Sequence, residues 1–214
     1  SFRNHENTNM SFSPGITIIW GKNGSGKTSI LEAIHSLSFG NSFRTNNKKE
    51  LIKEGSNNFL LEGFFKNKKG VENTVFFSHD KKGNKKIKIN KKEISKRKDL
   101  LGLNNVVVFS PEEESITKNG PSNRRRFFNK VFSIVSKNYL EELLSYNSTL
   151  QQRNAVLKFG PNKNIKKEIK IWNEPFAEKA ESFWKKRRKL IAEFSKIFKE
   201  TVKNLEIGIE CDIC

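Results

Sequence analysis

Ile16-Thr17-Ile18-Ile19-Trp20-Gly21-Lys22-Asn23-Gly24-Ser25-Gly26-Lys27-Thr28 is the stretch that decides the fold. Its first five residues form a short apolar run, which predicts a buried parallel strand. Its last eight fit G-x-x-x-x-G-K-[ST] at every position, the pattern of a P-loop. After Thr28, Ile30, Leu31, Ile34 and Leu37 recur at helical spacing, with Gly40 placed to cap the helix. Strand, glycine-rich loop and helix in this order are the context the motif requires. Glycines remove Cβ atoms, so successive backbone N–H groups can converge on an anion. The helix N-terminus adds partial positive charge. Gly21, Lys22, Asn23, Gly24, Ser25, Gly26, Lys27 and Thr28 are therefore the candidate ATP-binding residues. Lys27 would reach the β- and γ-phosphates, and the Thr28 hydroxyl would hold Mg²⁺.

Outward from the loop, Phe59–Phe65, Thr74–Ser78 and Lys86–Asn90 read as strands. Asp80-Lys81-Lys82-Gly83-Asn84 has the turn chemistry to join the last two, which predicts an antiparallel meander. Asn105–Phe109 reads as a second buried strand, followed by a short helix over Glu112–Lys118. Pro121 opens a helical stretch to about Lys158. Gly160-Pro161-Asn162 breaks it, and a second long helix runs from about Ile165 to Asn204. The two predict an antiparallel pair. Leu205–Ile213 alternates apolar and polar residues like a strand. The fold class is thus α/β: a P-loop lobe with a β meander over 1–120, a helical lobe over 121–204, and a returning strand over 205–214.

The 214 residues carry a net charge of +18, which points to a polyanionic partner, nucleic acid before membrane. No apolar run is long enough to span a bilayer. No signal peptide is read at the first residues, Ser1-Phe2-Arg3-Asn4. Two cysteines exclude a disulfide scaffold and suit a reducing cytoplasm. Residues 63–100 hold 13 basic and 4 acidic side chains, half of the total charge. Lys85 and Lys86 on the hairpin are candidate DNA contacts there. Lys, Asn and Phe all have A/T-rich codons, however, so genome composition can inflate the Lys count. The nine arginines are the better places to look, because the guanidinium fork suits phosphate. Arg44 follows the P-loop helix, and Arg124, Arg125 and Arg126 sit at a helix start, where cations are locally unfavourable. These four are candidate DNA or interface residues. Trp172, Phe176, Phe183 and Trp184 read as helix packing rather than a base-stacking platform. Cys211 and Cys214 supply only half a zinc site.

The chain resembles the RecF family of bacterial recombination mediators, ABC-type ATPases of chromosome maintenance and repair. The resemblance rests on Phe2-Arg3-Asn4, the P-loop with Leu31-Glu32-Ala33-Ile34, and Gly40-Asn41-Ser42-Phe43-Arg44-Thr45. It continues through Val107–Glu112, Gly120–Phe127, Tyr146-Asn147 and Gln152–Ala155. It implies an ATPase lobe and a helical lobe, ATP-driven homodimerisation, DNA binding at single-stranded or gapped sites, and weak DNA-stimulated ATP hydrolysis. It also implies work with RecO and RecR to load RecA, in support of the SOS response. It places Arg3 near the nucleotide. The family's signature motif and its aspartate-bearing strand are expected beyond residue 214, so no complete catalytic set is read here and the chain reads as part of a longer protein. Two other readings of the P-loop stay open: a small-molecule kinase, and a basic nucleic-acid-binding module with a vestigial loop.

Overall fold

The computed structural model describes residues 1–67, 70–110, 120–158 and 165–205. It forms two compact units, Ser1–Pro111 and Glu112–Cys214. Among the described residues, no helix is long and apolar enough to cross a membrane.

In the first unit, helix α1 (Lys27–Phe39) precedes four antiparallel strands: β1 (Asn58–Lys66), β2 (Glu72–Asp80), β3 (Lys85–Ile89) and β4 (Lys92–Ile94). They lie in the order β1-β2-β3-β4, the predicted meander with one strand more. Asp80 closes the β2–β3 turn by accepting from the Asn84 backbone N–H at 2.8 Å and the Asn84 side-chain amide at 2.7 Å. Asn90 and Lys91 both have positive φ, the geometry of a two-residue hairpin turn between β3 and β4.

Period-2 alternation puts one face of this sheet on the core. Phe59, Val75, Phe77 and Ile87 are buried with Phe2, Leu37, Leu51, Ile52 and Leu100. The Phe59 ring lies edge-on between Phe2, at 5.3 Å, and Phe77, at 5.2 Å. Gly63 lets α1 approach, since a Cβ there would lie 2.7 Å from the Leu37 Cδ1. The Gly40 N–H caps α1 by donating to the Ser36 carbonyl at 2.8 Å, with φ of 64°.

Two expectations fail here. Ile16–Trp20 and Asn105–Phe109 are neither strands nor buried. Ile16 is 94% exposed, Trp20 88% and Val107 95%. An apolar run asks for two covered faces and a paired backbone, and no described segment supplies them. The third departure is the face of α1. Its buried side holds Ser29, Glu32, His35 and Ser36 together with Leu37 and Phe39, while Leu31 faces out. The apolar spacing found the helix, but of its four residues only Leu37 is buried, Ile30 and Ile34 are half-buried and Leu31 is exposed.

The second unit contains α2 (Pro121–Val135), α3 (Lys137–Lys158) and α4 (Ile165–Asn204). The single stretch predicted over 121–158 breaks at Ser136, which leaves helical geometry at φ −138°. Its hydroxyl accepts the Tyr139 N–H at 3.2 Å, an N-cap that starts α3. α3 and α4 are antiparallel. Tyr139 and Tyr146 meet Phe183, Tyr146 also meets Phe176, and Arg153 donates to Asn173 further along. Phe132, Tyr139 and Phe183 form the buried centre, so Phe183 and Phe176 are packing residues. Arg187 is buried among them. It donates to Asn129 Oδ1 and, at 3.0 Å, to the Tyr139 hydroxyl, and its guanidinium lies 5.6 Å from the Trp184 ring. The Glu112–Lys118 helix, the Gly160–Asn162 break, the strand after Leu205 and both cysteines lie outside the described residues.

Phe59→Ala should cost about 3–5 kcal/mol through the cavity it leaves. Phe64→Ala, on the exposed sheet face, should change stability by less than about 0.5 kcal/mol. Urea midpoints of the two variants check this pair. Tyr139→Phe removes a partner from both Asn129 and Arg187, and should cost about 1–2 kcal/mol in the same assay.

Candidate functional site

The loop before α1 is shaped by its glycines. Gly21, Gly24 and Gly26 have φ of 150°, 82° and 92°. Gly24 and Gly26 thus occupy the left-handed region that side chains rarely adopt. Space makes a second demand at Gly26: a Cβ would lie 2.3 Å from His5 Nε2. Lys27 folds back over the loop and donates to the Gly21 and Lys22 carbonyls, each at 2.8 Å. The loop therefore holds its cation at its own centre. Thr28 is exposed in the first turn of α1. Asn23, Gly24, Lys27 and Thr28 line a cleft of about 700 Å³, and Arg3 and Arg44 are also part of its lining.

The N-terminal turn braces the loop from below. Asn4 Nδ2 donates to the Gly24 carbonyl at 2.8 Å. His5 Nε2 lies 3.1 Å from the Gly26 carbonyl, which can only accept, so Nε2 carries a proton. His5 Nδ1 pairs with the Thr8 hydroxyl at 3.0 Å. This turn is itself pinned, because Arg3 N–H donates to the Leu51 carbonyl at 2.8 Å. Arg3 is a non-glycine residue at φ 54°, a conformation that persists only where surroundings impose it.

They do so through Glu32, whose side chain is fully buried on α1. Arg3 Nε donates to Glu32 Oε2 at 2.8 Å and Arg3 Nη2 donates to Oε1 at 2.7 Å, a bidentate pair. Arg3 Nη1 donates to the Glu50 carbonyl at 2.9 Å. The hydrogen bond to Glu32 holds the Arg3 guanidinium above its ordinary pKa, against the opposing effect of burial. Ser42 Oγ also donates to Glu32, and accepts the Arg44 N–H at 2.8 Å. Arg44 Nη1 stands 3.7 Å from Glu32 with its side chain half exposed. One carboxylate thus places two arginines beside the loop. Sequence reasoning quoted Glu32 without assigning it a role. The available signal was a charged residue in line with Ser29, Ser36 and Phe39 on one helical face.

The remaining candidates stand apart from this cleft or on the other unit. Arg124, Arg125 and Arg126 are exposed near the N-terminus of α2, whose first turn contains no acidic residue. Lys86 pairs with Glu93 at 3.2 Å. Lys85 lies over the Phe77 ring at 5.6 Å. Desolvation, then the nearby cations Lys48 and Arg97, lower its pKa to about 8. Among the described residues, no group of three His, Cys, Asp or Glu side chains could hold a metal ion by itself.

Residues 1–207 match the AAA domain family. The chain belongs to that family. Its sequence is similar to the DNA replication and repair protein RecF of Clostridioides difficile, at 37% identity over 98% of this chain and 56% of that protein. RecF of Leptospira interrogans is also 37% identical, over 97% of this chain and 57% of the relative. The chain therefore spans somewhat more than half the length of the curated relatives it matches. Among solved structures, it is similar to the recombination mediator protein RecF of the RecFOR pathway in its RecF-ATPrS form. That likeness has a TM-score of 0.86 and 32% identity, over 96% of this chain and 56% of the other. The RecF-ATP form of the same pathway gives 0.85, at the same identity and over 55% of its length. The α/β lobe with its meander and the lobe of long antiparallel helices are thus the P-loop ATPase architecture of RecF.

Arg3→Met would leave the Glu32 carboxylate buried without its bidentate partner. It should destabilise the protein by about 3 kcal/mol, read from urea unfolding. Lys85 gives a pH signature. Its folded pKa lies below the unfolded value of about 10.4, so the unfolded chain binds more protons between the two. The Lys85 contribution to stability should therefore rise from about pH 8 to about pH 10. Lys85→Met should be more stable than the parent at pH 7, with the difference shrinking across that window. Paired denaturation curves at several pH values test it.

Proposed function

We propose that this chain binds ATP with Mg²⁺ through Gly21–Thr28 and serves a DNA-repair ATPase of the RecF type. The observation that carries the reading is the loop itself. Its glycines take the left-handed geometry that turns N–H groups toward an anion, and Lys27 and Thr28 border the adjoining cleft. The residues present fit the nucleotide. Backbone N–H groups of the loop would bind phosphate oxygens, and Lys27 would exchange its two carbonyl partners for phosphate. The Thr28 hydroxyl would hold the metal. Mg²⁺, when bound, supplies charge that neutralises the β- and γ-phosphate oxygens. Arg3 and Arg44, set by Glu32, would face the polyphosphate from the side.

DNA binding, at single-stranded or gapped sites, completes the proposal. The net charge of +18 and the similarity to RecF proteins support it. Arg44, Arg124–Arg126 and the hairpin lysines Lys85 and Lys86 are proposed as DNA or interface contacts. ATP-dependent homodimerisation, RecO- and RecR-type partners, RecA loading, a role in the SOS response and a cytoplasmic location are proposed on the same similarity.

Equilibrium binding of labelled ATP tests the central claim. The parent chain should bind in the presence of Mg²⁺. Lys27→Ala should weaken binding by at least about tenfold, the loss of one charge-assisted contact of about 1.5–3 kcal/mol. Binding unchanged by that substitution would refute the assignment of the loop.

A further inference from the structure

The second unit carries a charged surface that neither the loop nor the arginine candidates account for. On α4, Lys185, Lys189, Ala192, Lys196, Lys199 and Lys203 follow one another by four, three, four, three and four residues. At 3.6 residues per turn, that spacing keeps all six within about 40° of one line along the helix. All six are exposed. The line rises about 1.5 Å per residue, so the lysines form a straight row of about 27 Å. No apolar residue larger than alanine interrupts it. Glu193 stands beside the row, 4.0 Å from Lys189, and Glu200 lies at a similar helical angle by sequence. Toward the N-terminus the same line turns acidic, with Glu174, Glu178 and Glu181. The basic surface therefore has a defined end.

We propose that this lysine row docks the sugar–phosphate backbone of duplex DNA. The proposal rests on the DNA-binding part of the function proposed above and assigns it a surface. A partner protein would be expected to need a buried apolar or aromatic anchor at the centre of the contact, and the row has none. Single-stranded DNA is gripped largely by stacking on aromatic rings, and the row has none of those either. What it offers is a line of five positive charges on one helix, which suits a rigid rod of phosphates contacted by counterion release. Lys189 and Lys196 bracket the centre, and the acidic stretch beyond Glu181 would repel the duplex and fix where it stops.

The test is fluorescence anisotropy of the whole chain with a labelled duplex of about 30 base pairs, titrated between about 50 and 200 mM salt. The triple variant Lys189→Glu, Lys196→Glu, Lys203→Glu should bind at least tenfold more weakly. Its log–log salt slope should be shallower by about 2.7, at about 0.9 per lost contact. These side chains are exposed, so the urea midpoint should stay near that of the parent. Lys196→Gln gives a second reading free of introduced charge, with a slope change of about 0.9. If the parent binds duplex and both variants bind equally well, the row is not the site and DNA binding stands. If the parent does not bind DNA, the DNA reading and the row fall together, while the ATP site is judged by its own assay. Equal losses with single-stranded probe, or displacement by polyglutamate at equal charge, would overturn the duplex assignment. A variant that changes only self-association by sedimentation would show a second copy of the chain to be the occupant.

Discussion

The first unit depends on one buried carboxylate. Glu32 sits on α1 with no solvent contact, and burying a charge there is tolerable only because Arg3 meets it with two parallel hydrogen bonds. That pair fixes more than itself. It holds Arg3 in a left-handed conformation, which turns the chain so that Asn4 and His5 reach the carbonyls of Gly24 and Gly26. Through Ser42 it also sets the loop that carries Arg44. The glycine-rich loop is therefore not a free turn. Its shape comes from its own glycines and from a brace 20 and 21 residues away in sequence, Asn4 on Gly24 and His5 on Gly26.

This explains which parts of the site were legible. The P-loop is local chemistry: eight contiguous residues whose types follow from what a phosphate needs. The brace is not local. Arg3, Glu32 and Ser42 are ordinary residues one at a time, and only the folded chain shows that one carboxylate serves two others. The same logic applies to the face of α1. A period of 3.6 in Ile30, Leu31, Ile34 and Leu37 gives a helix, but periodicity assumes that the buried side is the apolar one. Here the buried side carries the ion pair as well as Leu37 and Phe39, and Leu31 is left outside. The meander was legible because its alternation and its Asp80–Asn84 turn are local too. Ile16–Trp20 and Asn105–Phe109 read as strands from composition, yet a strand is defined by its neighbours. Composition says that a segment favours pairing, not that a partner is there.

The helical unit shows a similar division. The aromatic spacing on α4 indicated packing, which holds for Phe176 and Phe183 against Tyr146 and Tyr139, while Trp184 is 41% exposed. The break at Ser136 went unread because serine is a mild signal in a sequence. It acts only where its hydroxyl can take an N–H three residues on. Arg187 was hidden for a different reason. It stands in the run Lys185–Lys189, which reads as a solvated face, but its own helical angle points it at Asn129 and Tyr139. Its neighbours on either side point outward.

That detail changes how the charge of the chain is to be weighed. The guanidinium fork made the arginines the favoured phosphate contacts. In the fold, the same fork is used internally: Arg3 on Glu32, Arg97 on the Phe39 carbonyl at 2.6 Å, Arg153 on Asn173, Arg187 on Asn129 and Tyr139. A planar group with five fixed donors satisfies internal acceptors well, so several of the nine arginines are spent on the chain's own carboxylate, carbonyl and amide groups. Lysine, a point charge on a flexible stem, is poorly suited to that work and is left at the surface. Surface lysines are individually weak phosphate ligands, but a polyanion reads their sum and spacing rather than any one of them. The electrostatic face of this molecule is therefore set less by its rarest cation than by where helical periodicity lines up its commonest one.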